Sequence, residues 1–135
     1  MKKLSYEKWV ASLVQTLAEY FNLQGWNIKV EFSNKPKSDC EGAYACMNSN
    51  SVYMQATLTV YPMGRESWDE DDLDRLVEVL THELSHLLID PLHEHAVPFL
   101  SETTRPLFTN ILENVTQRTA LVILKGLPKN IIPPR

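Results

Sequence analysis

Residues 67–91 read SWDEDDLDRLVEVLTHELSHLLIDP, and this stretch decides the fold. Leu73, Leu76, Val77, Leu80, Leu84, Leu87 and Leu88 recur with helical periodicity and form one broad apolar stripe. Ser67 and Glu70 have the spacing of a capping box, and Asp69, Glu70, Asp71 and Asp72 suit the positive end of a helix dipole. Asp90-Pro91 is a stop signal, because the residue before proline is pushed out of the helical region. The pattern predicts a helix over residues 67–90 whose stripe enters a core.

The opposite side of that helix carries His82-Glu83-Leu84-Ser85-His86. Two imidazoles four residues apart differ by about 40° in azimuth and about 6 Å in rise. Both can therefore point at one zinc ion, each bond needing about 2.0–2.1 Å. Glu83 lies on the flank of the same face, where it fits a base better than a ligand. The most polar strip, Asp74, Glu78, Thr81 and Ser85, is offset from the histidines, whereas Val79 and Ile89 share their side. That side reads as a covered cleft wall.

At 135 residues the chain reads as one domain, with residues 128–135 as a tail that can fray. Its 44% apolar and 22% charged residues are those of an ordinary globular protein. No apolar run approaches the roughly 20 residues that span a bilayer, so no membrane partner is expected. The start, Met1-Lys2-Lys3-Leu4, runs into Glu7, Lys8 and Glu19 and does not read as a secretory signal, so a cytoplasmic location is expected. The net charge of −4 and the scattered basic residues, of which Lys2, Lys3, Lys35 and Lys37 come nearest to clustering, argue against nucleic acid as a partner. Cys40 and Cys46 match no zinc-knuckle spacing and read as free thiols.

Residues 5–22 read as a helix capped by Ser5, with Trp9, Leu13, Leu17 and Tyr20 at helical spacing. Trp26–Phe32 alternates apolar and polar residues, as a half-buried strand does. Residues 42–47 read as a short strand, 48–51 as a turn, and 52–61 as a longer strand ended by Pro62 and Gly64. Residues 91–105 read as irregular. A last helix is expected from Pro106 through Leu107, Ile111, Val115 and Val122 to Lys125, with Gly126 as its stop. The order predicts an α+β fold: a small, mostly antiparallel sheet of three or four strands, with N-terminal, motif-bearing and C-terminal helices on one face.

With that motif on that order of elements, the chain resembles the zincin metallopeptidases. It is similar to the minimal single-domain ImmA/IrrE-type or SprT-like groups met in bacteria and phages. The specific likeness is confined to residues 82–86 and a possible third ligand. The resemblance implies a zinc-dependent peptidase acting on a peptide or protein substrate. His82 and His86 would hold one zinc ion, and Glu83 would be the general base. The metzincin pattern would need histidine at position 92 and glycine at 89, where the chain has Leu92 and Ile89. The four-cysteine ribbon usual in SprT-like proteins cannot be built from two cysteines. The gluzincin pattern needs a glutamate on a later helix, which Glu113 supplies; His93 and His95 are the alternatives, with Glu94 and Glu102 behind them.

The same resemblance implies an oxyanion stabiliser, for which Tyr44, Tyr53, Tyr61, His93, His95 and Arg118 are available. It also implies an edge strand that pairs with substrate, and residues 52–61 are the candidate. The competing function is a non-catalytic zinc-binding module that holds a protein partner.

Overall fold

A computed structural model describes residues 3–37 and 42–135 of the chain. Lys2 and Cys40 lie outside the described residues. Cys46 is a free, half-buried thiol.

The architecture is α+β, as the sequence implies. The first helix, α1 (Tyr6–Tyr20), is capped by the Ser5 hydroxyl, which accepts from the Lys8 amide. Three strands follow: β1 (Asn27–Phe32), β2 (Ala45–Asn50) and β3 (Gln55–Val60). Their order in the sheet is β1-β3-β2. β2 and β3 form an antiparallel hairpin, whereas β1 lies parallel to β3. The sheet is therefore mixed, because the chain crosses to the far edge before it returns to the middle. The turn falls after residue 50 rather than at 48–51, since the Asn50 side chain accepts from the amides of Val52 and Tyr53.

Two helices stand where one was expected. The first is α2 (Pro62–Asp69), and the second is α3 (Leu73–Ala96). The capping box does not form, because Ser67 is buried inside α2. Trp68 turns into the core instead, its ring 5.3 Å from that of Trp9 and 5.7 Å from that of Tyr6. Asp71 takes a left-handed φ of 64°, and Asp72 caps α3 by accepting from the Arg75 amide. Nor does α3 stop at Asp90. It runs on to Ala96 with Pro91 inside it. An internal proline costs about 3 kcal/mol. Anchors beyond it offset that cost: Glu94 accepts from Ser51 on the β-hairpin, and His93 bonds Thr109 on the last helix.

Leu76, Leu80, Leu84 and Leu87 on α3 are buried against α1 and the Ala56, Leu58, Val60 face of β3. Each such side chain contributes about 1.5–3 kcal/mol. Together they fix the roll of α3 about its axis. Leu88, expected in the same stripe, is instead 43% exposed.

The last helix, α4 (Thr104–Gly126), packs along α3. The apolar run expected to form its seam does not make the contact. Leu107, Ile111, Val115 and Val122 are exposed, while Leu112, Thr116 and Ala120 are buried. Residues 129–131 make a 3-10 turn, and the Trp9 indole donates to the Pro133 carbonyl at 2.8 Å. The Arg135 guanidinium lies over the Trp68 ring and pairs with Asp71, so the chain end packs on the core. Among the described residues, no helix is long and apolar enough to cross a membrane.

Tyr6 offers a stability test. Its hydroxyl is buried without a hydrogen-bond partner, and Gly64 is what makes room for it. A Cβ at Gly64 would stand 3.1 Å from that hydroxyl and 2.7 Å from Val60 Cγ1. Burial pushes the phenol pKa up to about 12, with Arg65 opposing and Glu7 and Asp69 adding to the rise. A phenol raised on folding gives stability that is whole below about pH 10 and falls by about 2–3 kcal/mol as pH climbs to about 12. Tyr6→Phe should therefore melt at or above the wild-type temperature at pH 7, and should lose less stability than wild type by pH 11. A clear loss of stability at pH 7 would mean that the hydroxyl has a partner.

Candidate metal centre

Because the leucine stripe fixes the roll of α3, His82 and His86 face away from the core, toward α4 and β2. Their side chains are each 19% exposed. His82 Nε2 lies 3.1 Å from Glu113 Oε1, and His86 Nε2 lies 3.6 Å from Glu113 Oε2. One donor atom from each of the three residues falls within 4.8 Å of the others. Two imidazole nitrogens and a carboxylate oxygen are the donor set of a catalytic zinc site, which keeps a fourth position open. The donors present fit that metal.

The other ring nitrogens are also engaged. His82 Nδ1 is 2.6 Å from the Gln117 side-chain oxygen, and His86 Nδ1 is 3.2 Å from Asp90 Oδ1. With an ion held at both Nε2 atoms, these two acceptors would take the Nδ1 protons. Sequence reasoning missed Gln117 altogether and read Asp90 only as a helix terminator. The available signal was spacing: each stands four residues beyond a candidate ligand, Asp90 after His86 and Gln117 after Glu113.

Glu83 is not a member of the donor group. Its carboxylate is largely buried and accepts from the Met47 amide of β2 at 2.8 Å. Burial raises its pKa, against the pull of the His86 and His82 charges and of the Met47 amide. The His86 imidazole is pulled down by burial, but the Asp90 hydrogen bond and the charges of Glu83, Asp90 and Glu113 together leave it raised.

The remaining candidates separate clearly. His93 bonds Thr109 at 3.0 Å and stacks on Phe108, outside the donor group. His95 and Glu102 are exposed, and Glu94 serves as acceptor for Ser51. Tyr53 is 71% exposed on the hairpin turn, Tyr61 caps α2 and Arg118 is exposed on α4. Of the candidate oxyanion stabilisers, Tyr44 lines the cleft beside His82 and Glu83, and His93 lines it beside His86. The cleft has two lobes, one of about 400 Å³ on the His82 side and one of about 290 Å³ on the His86 side.

The strand that borders both lobes is β2, with Tyr44 and Ala45 at one and Met47–Ser49 at the other. Residues 52–61 cannot be the substrate-pairing edge, because β3 is paired on both sides. Tyr44 accepts from the Tyr61 amide, so the alternation of an antiparallel ladder turns the backbone groups of Ala45, Met47 and Ser49 away from β3. The Met47 amide already serves Glu83.

No protein-family model, no curated protein and no solved structure matches the chain.

Proposed function

We propose that the protein is a zinc-dependent metallopeptidase of the zincin type, with a gluzincin-like ligand set of His82, His86 and Glu113. The observation that carries this reading is the convergence of the two Nε2 atoms and the Glu113 carboxylate. The chemistry the ion supplies when bound is Lewis acidity, toward a water molecule and toward the carbonyl of the peptide bond. Glu83 takes the proton of the attacking water and returns it to the leaving amine. Burial raises the pKa of this carboxylate, so it takes up a proton more readily than a free one. A peptide laid along the outer edge of β2 would pair with Ala45 and Ser49 and pass both lobes of the cleft. Tyr44 and His93, which line the cavities on either side of the donors, are the candidates for stabilising the oxyanion.

A zinc-holding module that only binds a partner would have no use for Glu83. Glu83 stands outside the three donors, so holding an ion does not by itself require a carboxylate there. The test is direct. The purified chain should carry one zinc per molecule by elemental analysis, and it should cleave members of a random peptide mixture read by mass spectrometry. A chain that stays metal-free at saturating zinc would rule the reading out.

A further inference from the structure

We propose that the free edge of β1 pairs with the same edge of a second copy of this chain, antiparallel about a two-fold axis at Val30. Among the described residues, β1 borders the sheet and pairs only with β3. The ladder fixes where its backbone groups point. The Asn27 and Ser33 amides donate to the Met54 and Val60 carbonyls. Alternate residues of a strand turn to opposite sides, so the N–H and C=O groups of Ile28, Val30 and Phe32 point away from β3. Edge strands are commonly guarded by a proline, a bulge or a run of like charge. β1 has no proline, its register with β3 is unbroken, and its two charges are of opposite sign.

The strand is self-complementary. Asn27-Ile28-Lys29-Val30-Glu31-Phe32-Ser33 has polar ends, apolar residues at 28, 30 and 32, and a cation and an anion placed evenly about Val30. An isologous two-fold contact sets each residue against its mirror position. Val30 then meets Val30 of the second copy, and Ile28 meets Phe32. These pairs exchange both N–H···O bonds. Lys29 meets Glu31 in the closer, non-hydrogen-bonded pairs, where facing charges count most. Within one strand the two side chains already stand 2.8 Å apart, 71% and 48% exposed, so across the two-fold they form a ring of alternating charge. A strand from an unrelated protein would have to supply that order of charges; this chain carries it.

The edge also has room. Between α1 and β1 lies a cavity of about 640 Å³, lined by Ala11, Gln15 and Ala18 of the helix and Ile28 and Val30 of the strand. A two-fold normal to the sheet puts both copies of α1 on one face, where the two cavities meet. Ile28 and Val30, half-buried in one chain, lose their remaining water there. The product is one sheet of order β2-β3-β1-β1-β3-β2. The donor group borders β2, at the far edge, so both copies of it stay open.

The test is sedimentation velocity at low salt, from about 1 to about 200 µM chain. Wild type should pass from monomer to dimer within that range, as a small interface does. Lys29→Glu and Glu31→Lys each put like charges in both facing pairs, and each should weaken the dimer about 10–100-fold. Mixed in equal amounts, the two variants should dimerise with each other as wild type does, because every facing pair is again opposite. The double swap Lys29→Glu/Glu31→Lys should restore self-pairing. Both positions are exposed, so the variants should melt as wild type does; if one single variant does not fold, the other and the double swap decide. A wild type that stays monomeric throughout would overturn the inference and leave the edge to a strand of another protein. A dimer indifferent to both reversals would overturn it too, placing the contact on another surface. Single variants that weaken the dimer but stay apart when mixed would do the same, since the charges would not then face each other.

Discussion

Glu83→Gln should lower kcat for peptide cleavage by about 10²–10⁴-fold while one zinc per chain remains bound. The side chain lies outside the donor group, so its loss removes no ligand. Glutamine keeps the shape and can still accept from the Met47 amide, so the edge strand should stay in place. What it cannot do is take a proton from water. The substitution also removes a carboxylate whose burial disfavours its charged form. The variant should therefore be at least as stable as wild type at neutral pH, an effect usual where a catalytic group is held under strain. Cleavage of a peptide found with the wild type, zinc content and a thermal melt together check the prediction. Full cleavage by the variant would remove Glu83 from the chemistry, and loss of zinc would make it a ligand.

His82→Ala should abolish the stabilisation that zinc gives. Zinc at a hundred times its dissociation constant stabilises a folded chain by about 2.7 kcal/mol. In a chain of this size that is a rise in Tm of roughly 10 °C. The same rise should vanish in wild type when a chelator is added. Glu113→Ala should remove most of it, because the third donor is lost. His93→Ala should leave it nearly whole, since His93 is occupied with Thr109 and Phe108. Differential scanning fluorimetry with and without zinc is sufficient. If Glu113→Ala keeps the full shift while His93→Ala or His95→Ala loses it, the third ligand is a histidine and the donor group must rearrange.

The helices show why some boundaries were legible and others not. Ser5 caps α1 through a hydrogen bond to its own near neighbour, so a local signal gave a local result. The acidic run 69–72 looked equally local, yet Trp68 broke it by entering the core beside Trp9. Pro91 looked like a terminator, but contacts to Ser51 and Thr109, distant in sequence, carry the helix past it. On α4 the error was one of face. The run Leu107, Ile111, Val115, Val122 has the spacing of a core seam and is exposed. Periodicity reports that a helix has an apolar side, not that the fold covers that side.

His82, Glu83 and His86 were determined by the sequence itself, because helix geometry alone brings positions four apart to one side and the leucine stripe sets where that side faces. The third donor could only be short-listed. The tertiary structure brings Glu113, and not His93 or His95, to both Nε2 atoms, by docking α4 along α3. It also decided that β2, not β3, is the strand that borders the centre, since sheet order depends on long-range pairing. Asp90 and Gln117 belong to the same division. Asp90 meets the His86 ring within one helix, four residues on, whereas only the docking of α4 puts the His82 ring against Gln117.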